Sequence, residues 1–156
     1  MMQLKFRQLT LLILIIIIVL SGCATNNTHT IMSENLITTK LEDIDMAQID
    51  NQNQGAKQTQ DREMISNLYE FLHGIEMQEL TAEQENVLMK NAEIMYFISL
   101  MSNKDIVGSA MILKTGDLIM YDIETMKSGK RTQAYIHYDL NDEMLEKIIK
   151  LTDSIK

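Results

Sequence analysis

Few residues in this chain offer a nucleophile or a soft metal ligand. It contains one cysteine, Cys23, and three histidines, His29, His73 and His137. A single cysteine excludes an intramolecular disulfide and a multi-cysteine metal site, and no two histidines have the spacing that places both imidazoles on one helical face. The sequence also lacks the G-x-S-x-G elbow and the glycine-rich phosphate loops. We therefore expect no catalytic site, no metal and no dissociable cofactor, and the chain is not predicted to be an enzyme.

The sequence before Cys23 has the layout of an export signal. Lys5 and Arg7 come first, and residues 11–20 are all apolar. A membrane-spanning helix needs about 20 apolar residues, so a run of about half that length fits the core of a signal peptide better than a span. Residues 1–22 are therefore predicted to be a cleaved signal peptide.

The end of this leader, Leu20, Ser21, Gly22 and Cys23, closely resembles the bacterial lipobox. In that motif, small residues precede a cysteine that is acylated before signal peptidase II cuts the chain. The resemblance implies that Leu20, Ser21 and Gly22 are read for cleavage and that Cys23 carries a diacylglycerol. Two acyl chains anchor a protein durably, whereas one chain holds it only marginally. The expected location is the outer, extracytoplasmic side of the cell membrane.

Three other interpretations of the leader remain open. An ordinary secretory signal with an incidental cysteine is one, although the A-x-A cleavage pattern is missing. A retained transmembrane anchor is the second, although the apolar run is short. The third concerns residues 15–22, IIIIVLSG, which look like the apolar octapeptides that some Gram-positive lipoprotein signals release as peptide pheromones.

The charge of the mature chain narrows the range of partners. After residue 22, 12 basic and 22 acidic side chains remain, a formal net charge of −10. Such a field repels nucleic acid and anionic membrane surfaces, so no nucleic-acid partner is predicted. Lys127, Lys130 and Arg131 are the local exception. They are candidates for contact with lipid headgroups or wall phosphates, although such a group of charges is commonly a solvated turn.

Hydrophobic periodicity predicts the helices that must position these residues. Apolar residues at helical spacing after Asp61 predict an amphipathic helix that ends near Gly74, and residues 142–155 repeat the pattern. Thr81 and Gln84 form a capping-box pattern that predicts a short helix between the two.

Apolar runs at residues 94–101, 106–113, 118–123 and 133–138 predict four strands, with a further strand within residues 38–49. Short connections require neighbouring strands to be antiparallel. The predicted fold is α+β: an antiparallel sheet of about four to five strands, with a C-terminal meander, covered on one face by two amphipathic helices. Tyr121, Tyr135 and His137 are predicted to share an exposed face of this sheet.

The predicted organisation is a signal peptide at 1–22, a lipidated cysteine with a polar tether at 23–40, and one extracytoplasmic domain at 41–156. This layout resembles small lipoproteins of Gram-positive bacteria that hang a compact α+β domain from a lipobox, a resemblance that names no activity. We expect a non-catalytic module that binds an envelope protein or a wall component. The alternative is a small-ligand binder or sensor with an apolar pocket of about 300 Å³ or more under the sheet.

Overall fold

A computed structural model describes residues 29–52 and 54–155. This part of the chain forms an eight-stranded sheet and four α-helices. The strands are β1 (Thr30–Met32), β2 (Met46–Asn51), β3 (Gly55–Thr59), β4 (Glu76–Glu79), β5 (Ile94–Ser102), β6 (Asp105–Leu113), β7 (Leu118–Tyr121) and β8 (Ala134–His137). The helices are α1 (Arg62–Leu72), α2 (Ala82–Asn91), α3 (Ile123–Lys127) and α4 (Asp142–Ser154). None of the helices within the described residues is both long enough and apolar enough to cross a membrane.

The strands lie in the order β1-β4-β8-β7-β6-β5-β2-β3, and every neighbouring pair is antiparallel. The predicted α+β class, the antiparallel sheet and the meander from β5 to β8 are confirmed. The predicted number of strands was too low, because β1, β3 and β4 were not anticipated. β3 and β4 are short and mostly polar, and β1 has only three residues, so their sequences carry little of the apolar alternation that marks a strand.

Side-chain caps fix the starts of the three longer helices, and the capping box predicted for Thr81 and Gln84 is confirmed. The Asp61 carboxylate accepts a hydrogen bond from the Met64 N–H at 2.9 Å, which satisfies a free amide in the first turn of α1. Thr81 and Gln84 form both hydrogen bonds of the capping box at the start of α2. At α4, the Asn141 side chain accepts from the Met144 N–H at 2.9 Å.

The sheet carries buried apolar clusters on both faces. On one face, α1 and α4 pack over a continuous core of buried residues that includes Ile65, Leu68 and Ile148 from the helices and Ile98 and Met120 from the strands. On the other face, Leu88 and Met89 of α2 pack over a smaller cluster that includes Met111, Ile119 and Ile136. The prediction of one covered face is therefore incomplete: α2 covers part of the second face, where strand residues are also hydrophobic.

The folded domain begins before residue 41, so the predicted tether is wrong for residues 29–40. Ser33 is fully buried, and its hydroxyl accepts a hydrogen bond from the Ile75 N–H at 3.0 Å. Leu36 and Ile37 are each 3% exposed. Ile37 lies against Gly108: a Cβ atom added to Gly108 would stand only 3.2 Å from the Cγ1 atom of Ile37. The hydrophobic pair at 36–37 gives this segment its place in the core. The leader, Cys23 and the rest of residues 1–28 lie outside the described residues.

Candidate functional site

The predicted surface of Tyr121, Tyr135 and His137 is divided between the two faces of the sheet. In the β7–β8 register, Tyr121 lies opposite Ala134 and Tyr135 lies opposite Met120. Because neighbouring residues along a strand point to opposite faces, Tyr121 and Tyr135 point in opposite directions. Tyr135 and His137 do share a face, but Tyr135 is only 8% exposed and belongs to the core under α1 and α4. The prediction of one exposed surface is wrong.

The environments of the two tyrosines are those of packed side chains. Burial raises the pKa of Tyr121, and the negative charge of Glu85 raises it further. Burial also raises the pKa of Tyr135, with smaller contributions from Glu79 and Asp122. Both phenols are therefore neutral at pH 7 and have no tendency to act as bases. The Nδ1 atom of His137 lies 3.0 Å from the carbonyl oxygen of Glu76 on the neighbouring strand.

The predicted basic group lies on an exposed segment at the end of α3. We call residues 127–131 the basic loop. The strand predicted at residues 118–123 ends earlier, at Tyr121. The next residue, Asp122, caps α3 instead, because its carboxylate accepts hydrogen bonds from the backbone N–H groups of Glu124 and Thr125. Arg131 forms an ion pair with Glu85 at 2.9 Å. Lys127 and Lys130 are exposed, and neither forms an ion pair with any described residue.

A groove of about 200 Å³ opens beside β1, β4 and β8, and we call it the β8 groove. Its lining residues are Thr30, Glu76, Gln78, Ile136, His137 and Tyr138. Tyr138 is 52% exposed, which makes it an aromatic ring at the rim of a polar depression. Glu76, Gln78 and Thr30 supply a carboxylate, an amide and a hydroxyl. Such a site can stack against a planar or ring-shaped group while it hydrogen-bonds to polar substituents.

Sequence reasoning found only His137 of this groove. Tyr138 directly follows it at the end of the same predicted strand, where its sequence position does not distinguish a groove residue from a strand residue. Glu76 and Gln78 could not be assigned because β4 was not predicted. The one local signal for β4 is the alternation of polar and apolar residues over Glu76, Met77 and Gln78. The structure agrees with that alternation, because Met77 is fully buried.

Two further grooves lie on the outer surface. One, of about 340 Å³, is lined by Leu41, Glu42, Arg62 and Ser66. The other, of about 280 Å³, is lined by Met46, Gln58, Thr59 and Gln60. Like the β8 groove, both are open to solvent and neither lies between the sheet and its helices. None of the three provides the enclosed apolar pocket that a small-ligand sensor would require.

The histidines are not gathered into a site. The His29 ring lies 3.5 Å from the Glu79 carboxylate, and the His73 ring lies 3.0 Å from the carbonyl oxygen of Tyr69 at the end of α1. Within the described part of the chain, no three His, Cys, Asp or Glu side chains are grouped so that they could hold a metal ion.

Comparison with protein-family models, with curated proteins and with solved structures found no match for this chain. Its function must be inferred from its own residues.

Proposed function

We propose that this protein is a membrane-anchored extracytoplasmic lipoprotein whose folded domain is a non-catalytic module that binds an envelope protein or a wall component. The anchor is the diacylglycerol expected on Cys23, supported by the likeness of residues 20–23 to a lipobox and by the short apolar leader before them. As the only cysteine, Cys23 has no intramolecular disulfide partner to compete with acylation.

The observation that carries the binding half of the proposal is the exposed ring of Tyr138 at the rim of the β8 groove. A tyrosine loses little conformational entropy on binding, and it combines an apolar ring with a hydroxyl, so it is enriched in binding surfaces. The polar side chains of Glu76 and Gln78 lie in the same groove, where they can fix the orientation of a partner.

The proposal is tested by placing a photo-crosslinking residue at position 138 of the full chain in living cells. A binding module gives a discrete crosslinked product whose amount falls when Glu76→Gln is added. The matched control carries the same crosslinker at exposed Lys147 on α4, which packs on the opposite face of the sheet. The same products from both positions would show that capture reflects crowding alone and would contradict the proposal.

A further inference from the structure

The chain enters the domain at the end of the sheet that carries the basic loop. The His29 carbonyl accepts a hydrogen bond from the Glu79 N–H at 2.9 Å, and the next residue, Leu80, donates to the Ala134 carbonyl at 2.9 Å. The start of β1, the end of β4 and the start of β8 therefore lie together. Residues 128–133 lead from α3 directly into β8, so the basic loop projects from this same end.

The covalent distance from this end to the lipid anchor is short. Six residue steps separate Cys23 from His29, and a fully extended chain covers at most about 3.6 Å per residue, or roughly 22 Å in total. Only β4 separates β1 from β8, which places these strands about 10 Å apart. If Cys23 is anchored as proposed above, the basic loop is held close to the headgroups. Because residues 30–40 belong to the folded domain, this restraint is tighter than a tether of 23–40 would give.

The charge at this end differs from that of the rest of the domain. Three of the 12 basic side chains after residue 22 fall within the five residues of the basic loop. Among the carboxylates nearby, Glu85 pairs with Arg131, Glu79 lies beside His29 and Asp122 caps α3.

Glu83 and Glu124 bring the carboxylates at this end to five against the three cations of the basic loop, a net charge of −2. The uncompensated positive charge is that of Lys127 and Lys130, on the protruding segment. The remainder of the domain is strongly acidic and is repelled by an anionic bilayer.

We propose that the basic loop rests on anionic phospholipid headgroups and orients the domain on the membrane. The inference rests on the proposed lipid anchor and adds an orientation to it. In this orientation the opposite end of the sheet faces away from the bilayer, including the β6–β7 turn at Thr115 and the rim of the β8 groove at Tyr138. Tyr138 at the rim of the groove is thus presented outward, whereas Thr30 lines the part of the groove nearer the membrane.

The test uses the lipidated full-length product, reconstituted in vesicles that carry an energy acceptor on their headgroups. Because Cys23 is acylated, Ser128→Cys supplies a unique thiol in the basic loop for a fluorescent donor, and Thr115→Cys supplies one at the opposite end. We expect stronger energy transfer from position 128 in vesicles containing phosphatidylglycerol than in pure phosphatidylcholine, and no such gain from position 115. High salt should remove the gain.

The double variant Lys127→Gln with Lys130→Gln should lower the ratio of molecules whose basic loop contacts the bilayer to molecules whose loop is free. The expected decrease is about 25-fold, at roughly fivefold for each lysine. The matched control, Lys90→Gln with Lys147→Gln, makes the same change in net charge elsewhere and should leave the energy transfer from position 128 unchanged. Equal transfer in both lipids, or equal effects of the two double variants, would overturn the orientation. Loss of the gain on adding soluble polyglycerol phosphate, with phosphatidylglycerol still present, would assign the loop to wall polyanions instead.

Failure of the anchor is separately visible. Protein that does not float with either vesicle and has a free Cys23 thiol by mass spectrometry would overturn the lipoprotein assignment itself. Protein that floats with both vesicles, without lipid-dependent transfer, would overturn only the orientation.

Discussion

Ser33 shows how one hydroxyl joins the N-terminal segment to the domain. Its N–H donates to the Ile75 carbonyl at 2.9 Å, and its Oγ atom accepts from the Ile75 N–H at 3.0 Å. Ser33→Ala leaves the Ile75 N–H buried without that acceptor, so we predict a loss of about 1–3 kcal/mol in the free energy of unfolding, measured by urea denaturation. Asn35→Ala, at an exposed position in the same turn, should change little. Equal effects of the two variants would mean that Ser33 is not a fixed part of the fold.

Tyr121 should make stability depend on alkaline pH. Burial, reinforced by Glu85, raises the pKa of this phenol, so the folded state holds its proton more tightly than the unfolded state. The resulting contribution is complete below the unfolded pKa of about 10 and is lost as the pH rises through the folded pKa. We predict that the free energy of unfolding falls above about pH 10 and that Tyr121→Phe makes this fall shallower. Denaturation series between pH 8 and 11.5 measure both slopes, and parallel curves would contradict the prediction.

The structure also shows why residue types alone misplaced the binding surface. Alternation within β8 correctly puts Tyr135 and His137 on one face, but Tyr121 belongs to another strand. Its face relative to Tyr135 depends on the β7–β8 register, which pairs it with Ala134. A shift of one residue would have placed both tyrosines together. Register is set by the whole sheet and its helices, so three aromatic or imidazole side chains on two strands could not define a surface.

At the scale of elements, the sequence predicts the helices better than the short strands, because interactions between residues close in sequence stabilise a helix. α1, α2 and α4 follow from apolar spacing and from caps at Asp61, Thr81 and Asn141. β3, with the sequence GAKQT, forms only through its ladder with β2. β1 likewise depends on β4, some 45 residues away, through pairs such as Thr30 with Gln78 and Met32 with Glu76. Such pairings are not encoded in the periodicity of either segment.

α2 should be the least stable of the longer helices. It buries no residue completely and leaves Val87 63% exposed, whereas α1 buries Ile65, Leu68, Phe71 and Leu72. We predict that the amides of α2 exchange with deuterium through local opening, well before those of α1, which should exchange only near global unfolding. Thr81→Ala should remove about 1 kcal/mol from the local stability of α2.

The corresponding cap variant of α1, Asp61→Ala, provides the comparison for hydrogen-exchange mass spectrometry. It should lower the free energy of global unfolding by a similar amount, because α1 forms part of the main core. Equal protection of α1 and α2 in the unmodified protein would contradict the predicted difference between these helices.

At the scale of the whole molecule, the distribution of charge, the end at which the chain enters the domain and the position of Tyr138 are all consistent with the proposed orientation on the membrane. In the arrangement proposed above, lipidated Cys23 would hold the acidic domain at the end where the described chain begins, and the basic loop would reduce repulsion from the bilayer there. The rim of the β8 groove at Tyr138 follows the far end of β8. A module anchored in this way would meet partners beyond the membrane surface and would need neither a membrane-spanning helix nor a disulfide to remain in place.

Everything in this arrangement depends on the lipid at Cys23, and this leads to the most decisive prediction. In membrane extracts the wild-type protein should begin at Cys23 and carry the added mass of a diacylglycerol, whereas Cys23→Ala should lack that mass and lose stable membrane association. Ser21→Ala keeps a small residue before the cysteine and should be processed normally, which controls for a general effect of changing the leader. Intact-mass measurement of the three proteins separates these outcomes. An unmodified Cys23 thiol, or an intact leader on wild type and Cys23→Ala alike, would contradict the anchor and with it the proposed orientation.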